Sequence, residues 1–318
     1  MVFDYHRRRR KLERLATMPG LLSGGVNVSV VLVHGIFNHV RGATPEEAGA
    51  RRAAECQTQL ARAIAATGLN VNVPDLVMAY YADLLRTDLP EQMQATRQTG
   101  KGFVDLTAVQ RAEAADWLSV AGAPAPQETQ NIGLAPLRQT LGWLLDQSGG
   151  SLVGAVKEQA IHRLERLMVS MLHEVEAYTT WPERRQLVRE RVAGVILREQ
   201  PRVVVAHSLG SVVTYETLHA HPELEIEMLL TVGSPLRVPS LARRLEPSLR
   251  GGRGARPVGV KRWVNIADVG DIVAVPPKLS VAFPVDQDET TDNGLGFHGL
   301  GGYLANGLTA AALAPYLT

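Results

Sequence analysis

The residues best placed to do chemistry lie in the stretch VVVAHSLGSVV, residues 203–213. A run of small apolar residues ends in His207-Ser208-Leu209-Gly210, and a helical pattern follows at once. A serine where a strand turns directly into a helix has the context of a nucleophile elbow, in which a sharp, strained corner lifts Oγ clear of the backbone. Strand and helix pass close together at such a corner, so the residues two before and two after the serine must be small. Here they are Ala206 and Gly210, an A-x-S-x-G pattern, with Ser211 adding another small side chain. A serine that opens a helix also serves as an N-cap. Capping alone does not call for small residues on both sides, so the sequence predicts a nucleophile.

The elements that must hold this serine are legible from periodicity. Short β-branched runs stand at 28–33, 73–81, 202–207, 227–233 and 262–268, and most are separated by segments with a 3.6-residue apolar repeat. That alternation predicts an α/β fold with a mostly parallel central sheet flanked by helices. All but the second run are almost continuously apolar, as strands covered on both faces are.

Residues 85–181 break the rhythm. This stretch contains no convincing strand and carries three helix-like segments, LTAVQRAEAADWLSVA, LAPLRQTLGWLLDQ and SLVGAVKEQAIHRLERLMVSMLHEVEAY. It is expected to be a helical cap inserted into a core formed by 28–84 and 182–318, with 1–27 as a basic N-terminal tail. In the last cap segment Ile161, Leu164, Met168, Met171, Leu172 and Val175 share one face, which can pack on the core or line an apolar cavity. Met168 and Met171, with Phe37 from the core, are the candidate substrate contacts.

Composition excludes several classes. Lys+Arg 33 against Asp+Glu 32 gives a net charge of +1, so nothing points to nucleic acid. The single cysteine, Cys56, cannot form an intramolecular disulfide, and it sits in a helical pattern as a small apolar residue would. The basic start lacks the apolar stretch of a secretory signal, and no run approaches the ~20 apolar residues that span a bilayer. A cytoplasmic location is expected. The histidines lack metal-ligand spacing, there is no C-x-x-C and no glycine-rich phosphate loop, so no metal or other cofactor is expected.

Five stretches together resemble the α/β-hydrolase superfamily, and most nearly its bacterial lipases and serine esterases: VVLVHGIFN at 30–38, VVVAHSLGSVV at 203–213, LLTVGSPL at 229–236, VNIADVGDIV at 264–273 and FHGLGGYL at 297–304. They occur in that family's order and cover the chain apart from the insertion and the N-terminal tail. The resemblance implies a triad in the order Ser, acid, His. Of the nine histidines, His298 alone lies late enough to be the base. For the acid, Asp268 and Asp271 both follow the fifth strand. Asp271 is preferred because GDIV resembles the family's acid followed by small apolar residues, whereas Asp268 stands where an Asx turn would occupy it. Asp286, Asp288 and Asp292 fall in a polar run and are expected to be solvated. The His-Gly turn after the first strand resembles the family's oxyanion loop, which gives the N–H of Ile36, with Phe37 as second choice, a partner in the N–H of Leu209. His34 then braces that loop.

The expected function is cleavage of carboxylic esters through an acyl-enzyme, with a small or lipid-like acyl ester as substrate. Thioester hydrolysis, acyl transfer and peptide cleavage use the same constellation, and a non-catalytic binding module on the same fold is the alternative from another class.

Overall fold

The computed structural model describes residues 30–86, 102–122, 134–147, 154–293 and 298–317. The N-terminal tail expected over 1–27 lies outside these.

The first strand, β1 (Val30–Val33), leads through the turn at Gly35 into helix α1 (Pro45–Thr67). Thr44 caps α1 by accepting from the Glu47 N–H while the Glu47 carboxylate accepts from the Thr44 N–H, and Pro45 fills the first helical position. Strand β2 (Leu76–Ala79) follows. Among the described residues, the α-helices between it and the next strand are α2 (Ala108–Val120), α3 (Leu134–Gln147), α4 (Gly154–Thr179) and α5 (Pro182–Glu199). The chain returns to the sheet with β3 (Val203–His207), α6 (Leu209–Ala220), β4 (Ile226–Val232), the short α7 (Pro239–Ala242) and β5 (Val260–Asp268). It closes with β6 (Gln287–Thr291), α8 (Leu300–Leu304) and α9 (Gly307–Leu313).

The six strands form one open, wholly parallel sheet in the order β2-β1-β3-β4-β5-β6. Side chains alternate between its faces with period two. Val31, Val33, Val204 and Ala206 join the apolar layer under α4, α5 and α6, while Val30, Leu32, Val203 and Val205 join the layer under α1, α8 and α9. This two-sided burial is why the strands read as unbroken apolar runs. The exception is β6, an edge strand of sequence QDETT with half-buried and exposed positions, which hydrophobicity cannot reveal.

The inserted helices are part of this architecture rather than a separate lobe. Leu164, Met168, Met171, Leu172 and Val175 of α4 are buried in the same apolar layer as Val31, Val33 and Tyr81. The insertion is also tied to α6 by a buried polar cluster. Arg185 donates through Nε and Nη2 to the two oxygens of Glu216, at 2.8 and 2.5 Å, and Tyr178 Oη donates to Glu216 at 2.7 Å. Removing one partner of such a buried pair costs more than the pair contributes, so this cluster fixes how α4, α5 and α6 sit together.

The topology sets where a ligand can bind. The chain leaves β1 toward β2 on one side and reaches β3 on the other, so the loops at the carboxyl ends of β1 and β3 diverge and open a crevice. The β1 end carries Gly35-Ile36-Phe37, and the β3 end carries Ser208.

Candidate active site

Ser208 begins the turn between β3 and α6. Its backbone lies at φ 54°, ψ −130°, and although it occupies the N-cap position its side chain makes no capping bond. A non-glycine residue in that region of dihedral space costs about 1–3 kcal/mol, which the surrounding structure must hold in place. The hold is visible on both sides of the serine. The Ser208 N–H continues the β3–β4 ladder by donating to Val232 O at 3.1 Å, and Ser208 O accepts from the Ser211 N–H at 2.9 Å and from Ser211 Oγ at 2.6 Å. Gly210 is required by contact: a Cβ there would stand 2.4 Å from His34 O and 2.5 Å from Val33 O. Gly35 is required for the same reason, since its Cβ would fall 2.5 Å from Ser208 Cβ.

Freed from capping, Ser208 Oγ lies 2.8 Å from His298 Nε2. The opposite ring nitrogen, Nδ1, lies 2.8 Å from Asp271 Oδ2 and 3.0 Å from Oδ1. A carboxylate only accepts, so Nδ1 carries the hydrogen and Nε2 of the neutral ring faces the hydroxyl as acceptor. Asp271 is buried and well supplied with donors. Oδ1 accepts from the Val273 N–H at 2.9 Å, and Oδ2 accepts from Tyr303 Oη at 2.7 Å. Tyr303 Oη in turn accepts from the Asp268 N–H at 2.9 Å. Burial, reinforced by the neighbouring carboxylates, holds the Tyr303 phenol well above its ordinary range, so it stays a donor.

Asp268 has other duties. Oδ1 accepts from the Gly270 N–H at 2.7 Å, an Asx turn, and Oδ2 accepts from the Asn293 N–H at 2.5 Å. Burial pushes its carboxyl up, partly offset by those two amides. The acids of the polar run have duties as well: Asp286 binds the Trp263 N–H and Arg256, and Asp288 binds Asn265 Nδ2 and the Ser280 N–H. They anchor the edge strand and its approach, Asp286 while remaining exposed to solvent as expected.

His207, adjacent to the serine, is nearly inaccessible. Its Nε2 donates to His298 O at 2.7 Å, and its ring lies 4.8 Å from that of His298. Burial, with the His298 ring beside it, holds His207 far below the usual imidazole range, so it remains neutral. The acid loop is held from the insertion, where Trp117 Nε1 of α2 donates to Ile272 O at 2.7 Å.

The β1 end is braced by His34. Its Nε2 accepts from the Tyr81 N–H at 3.1 Å and its Nδ1 donates to Gly35 O at 2.7 Å, while the ring stacks on Tyr81 at 4.1 Å. Complete burial lowers His34 from 6.5 to about 4, which keeps this donor–acceptor pair in one tautomer. Asn38 Nδ2 donates to Gly35 O and Ile36 O, fixing the curl of the loop. Phe37 is exposed at φ 62°, and its N–H meets Glu174 Oε1 of α4 at 3.4 Å. Leu209, as first residue of α6, has an amide without an intrahelical acceptor.

A cavity of about 550 Å³ opens beside His298. Ile36, Phe37, Leu167 and Leu300 form its apolar side. Met168 and Met171, expected as substrate contacts, do not line it. Their face of α4 is consumed by the core, and Leu167, one position round the helix and only partly buried, reaches the cavity instead. Cys56 also lines the cavity, with burial pushing its thiol up to about 12, so it is a neutral thiol and a poor nucleophile.

Sequence reasoning brought Ser208, His298, Asp271, Ile36 and Leu209 into one hypothesis, and the fold brings the first three into a hydrogen-bonded line. It missed Tyr303, Trp117 and the bond from His207 to His298 O. Tyr303 stands in the quoted stretch FHGLGGYL, but nothing in the spacing says that its hydroxyl reaches Asp271. No helix among the described residues is long and apolar enough to cross a membrane. No protein-family model matches the chain, and neither do any curated protein or solved structure.

Proposed function

We propose that the protein is a serine hydrolase of the α/β-hydrolase type that cleaves carboxylic esters through an acyl-enzyme. One observation carries the reading: Ser208 Oγ, His298 and Asp271 stand in an unbroken hydrogen-bonded line, with the serine strained at the corner between strand and helix. A structural serine has no need of that strain, of an imidazole nitrogen at 2.8 Å, or of a buried carboxylate behind it.

In this reading Ser208 Oγ adds to the ester carbonyl while His298 Nε2 takes its proton. The Ile36 and Leu209 amides hold the oxygen as it becomes negative. Ile36 is favoured over Phe37 because the Phe37 N–H already faces Glu174. Collapse of the tetrahedral intermediate breaks the ester C–O bond, and the alcohol leaves with the proton from His298. Water then repeats the sequence on the acyl-enzyme, giving up its proton to His298 and releasing the acid and Ser208. Asp271 accepts from Nδ1–H throughout, fixing the tautomer and stabilising the imidazolium when it forms. The chemistry needs no cofactor. The apolar side of the cavity suits a short or medium acyl chain.

Ser208 is fully buried, with Gly35 packed against it. Binding a carbonyl at Oγ therefore requires the Gly35–Asn38 arm to ease outward, and the single long contact from Phe37 to Glu174 is the weak point of that arm. A fluorophosphonate probe tests the reading directly. A covalent adduct is expected on Ser208, lost in Ser208→Ala together with about 10⁴–10⁶ of the ester kcat/KM, while the thermal melt stays intact. A chain that folds yet takes no label would refute it.

A further inference from the structure

His207 is a buried polar residue that the proposed reaction does not use. As the last residue of β3 it stands one position before the nucleophile, and the alternation of the strand turns its ring to the same face as Val203 and Val205, the face packed under α1, α8 and α9. There it is 4% exposed, with its ring 4.8 Å from that of His298 and 5.9 Å from that of Tyr303. Its Nε2 faces His298 O at 2.7 Å, and because a carbonyl only accepts, Nε2 carries the hydrogen and Nδ1 is bare. That bare nitrogen is buried without a hydrogen-bond partner.

A ring nitrogen buried in this way is a net cost, so what distinguishes His207 from leucine or phenylalanine at this position is the one bond that its Nε2–H makes. The acceptor is the main chain of the base. Asp271 and Ser208 orient the His298 ring through its two nitrogens, but neither fixes the backbone from which the ring hangs. Among the described residues, the bond from His207 is the one hydrogen bond on the His298 main chain. The donor adjoins Ser208 in sequence, so nucleophile and base are referred to the same strand end. His207 also stays neutral, since burial and the neighbouring His298 ring hold it far below the usual imidazole range. No second cation therefore stands beside His298 when it takes the proton from Ser208.

We propose that His207 is a positioning residue for the catalytic base: its Nε2–H pins the His298 carbonyl to the end of β3 and so sets the approach of His298 Nε2 to Ser208 Oγ. The inference rests on the ester-hydrolase reading and adds to it a residue that acts through His298 and not on the reacting atoms. What the site requires at 207 is then a neutral N–H donor at the reach of Nε2, not an imidazole as such. Glutamine supplies one, since its amide nitrogen stands about as far from Cβ as Nε2 does. Asparagine places its amide where Nδ1 is and falls short, and phenylalanine keeps the ring without the donor.

The test compares His207→Phe, His207→Asn and His207→Gln in steady-state hydrolysis of p-nitrophenyl butyrate. The phenylalanine and asparagine variants should lose roughly 10- to 100-fold in kcat with KM within about twofold, as a small displacement of a reacting group does. The glutamine variant should recover most of that loss. If His207→Phe does not fold, the asparagine and glutamine pair carries the same comparison. Unchanged kcat in the variants without the donor, or no recovery with glutamine, overturns the proposal. His207 also lines the cavity, so a change confined to KM would make it a substrate contact and overturn the proposal equally. The downfield proton NMR resonance of His298 Nδ1–H, assigned by its absence from His298→Ala, gives a readout that needs no turnover. It should be sharp in the wild type and in His207→Gln, and broadened by exchange with water in the other two. That pattern with no turnover by the wild type would sink the hydrolase reading and leave the role of His207 standing. Turnover by the wild type, with kcat and resonance indifferent to residue 207, would do the reverse.

Discussion

The two arms of the candidate site are held by different physics. The serine arm, made of the β3–α6 corner and the Gly35–Asn38 loop beside it, is fixed by close contact of main chain. Ser208 is forced to φ 54°, and at Gly35 and Gly210 even one methyl would collide with the opposing strand ends. The acid–base arm, made of the loops that carry Asp271 and His298, is fixed by side-chain hydrogen bonds from distant parts of the chain. Tyr303 reaches Asp271, Trp117 reaches Ile272 O and His207 reaches His298 O. A corner made by sterics is encoded within a few residues, whereas a loop held by remote donors is encoded only by the whole fold. It follows that the serine arm should be sensitive to volume and the acid–base arm to the loss of single polar atoms.

The largest expected effect that tests this contrast is on the acid. Asp271→Asn changes almost no volume, yet it should lower kcat by on the order of 10²–10⁴ by placing the wrong tautomer beside Ser208. Asp268→Asn should cost far less, because one oxygen of an amide still accepts from Gly270. The reverse ranking in steady-state kinetics would move the acid to Asp268.

Next in size is a volume change on the other arm. Gly35→Ala adds one methyl 2.5 Å from Ser208 Cβ and 3.0 Å from Oγ, so the Gly35–Asn38 loop must shift. A displacement of that size in reacting groups costs on the order of 10² in kcat/KM. If Gly35→Ala keeps near wild-type activity, the arm is looser than its contacts imply and the contrast fails there.

Tyr303→Phe sharpens the comparison further, since it removes one hydroxyl and leaves the ring packed. A roughly tenfold loss is expected in kcat with little change in KM, because Tyr303 positions Asp271 without touching the substrate. A loss confined to thermal stability would make Tyr303 an ordinary buried phenol.

The smallest expected effect concerns the insertion. Leu167→Ala enlarges the apolar side of the cavity and should shift the butyrate-to-hexanoate preference several-fold, at about 0.8 kcal/mol for each methylene held. Met168→Ala, one residue along, should leave that ratio alone and cost ~2–5 kcal/mol of stability as a buried truncation. A thermal melt and two kcat/KM values distinguish the pair.

Those two neighbours also show where sequence reading reaches its limit. Periodicity found the apolar face of α4 correctly, and Ile161, Leu164, Met168, Met171, Leu172 and Val175 are all buried. It could not say what covered that face, because core and cavity wall present the same 3.6-residue pattern. Strand β6 escaped for the opposite reason. At the sheet edge its side chains need not be apolar, so its pairing with β5, including Asn265 with Asp288, leaves no hydrophobic signature. Nothing in the sequence marks Arg52, Glu55, Cys56 and Gln59 as a cavity wall, and only the placement of α1 beside His298 puts them there.

By itself, the sequence determined the alternation of strand and helix, the parallel sheet that follows from it, and the corner at Ser208. These depend on nearest-neighbour properties: β-branched runs, apolar period, and small residues where backbones must cross. The tertiary structure alone decided that His298 and Asp271, 90 and 63 positions from Ser208, face it in one line, and that Tyr303 and Trp117 hold them there. The reason is that a hydrogen bond of 2.8 Å is set by the packing of every element between its partners, and no local pattern carries that distance.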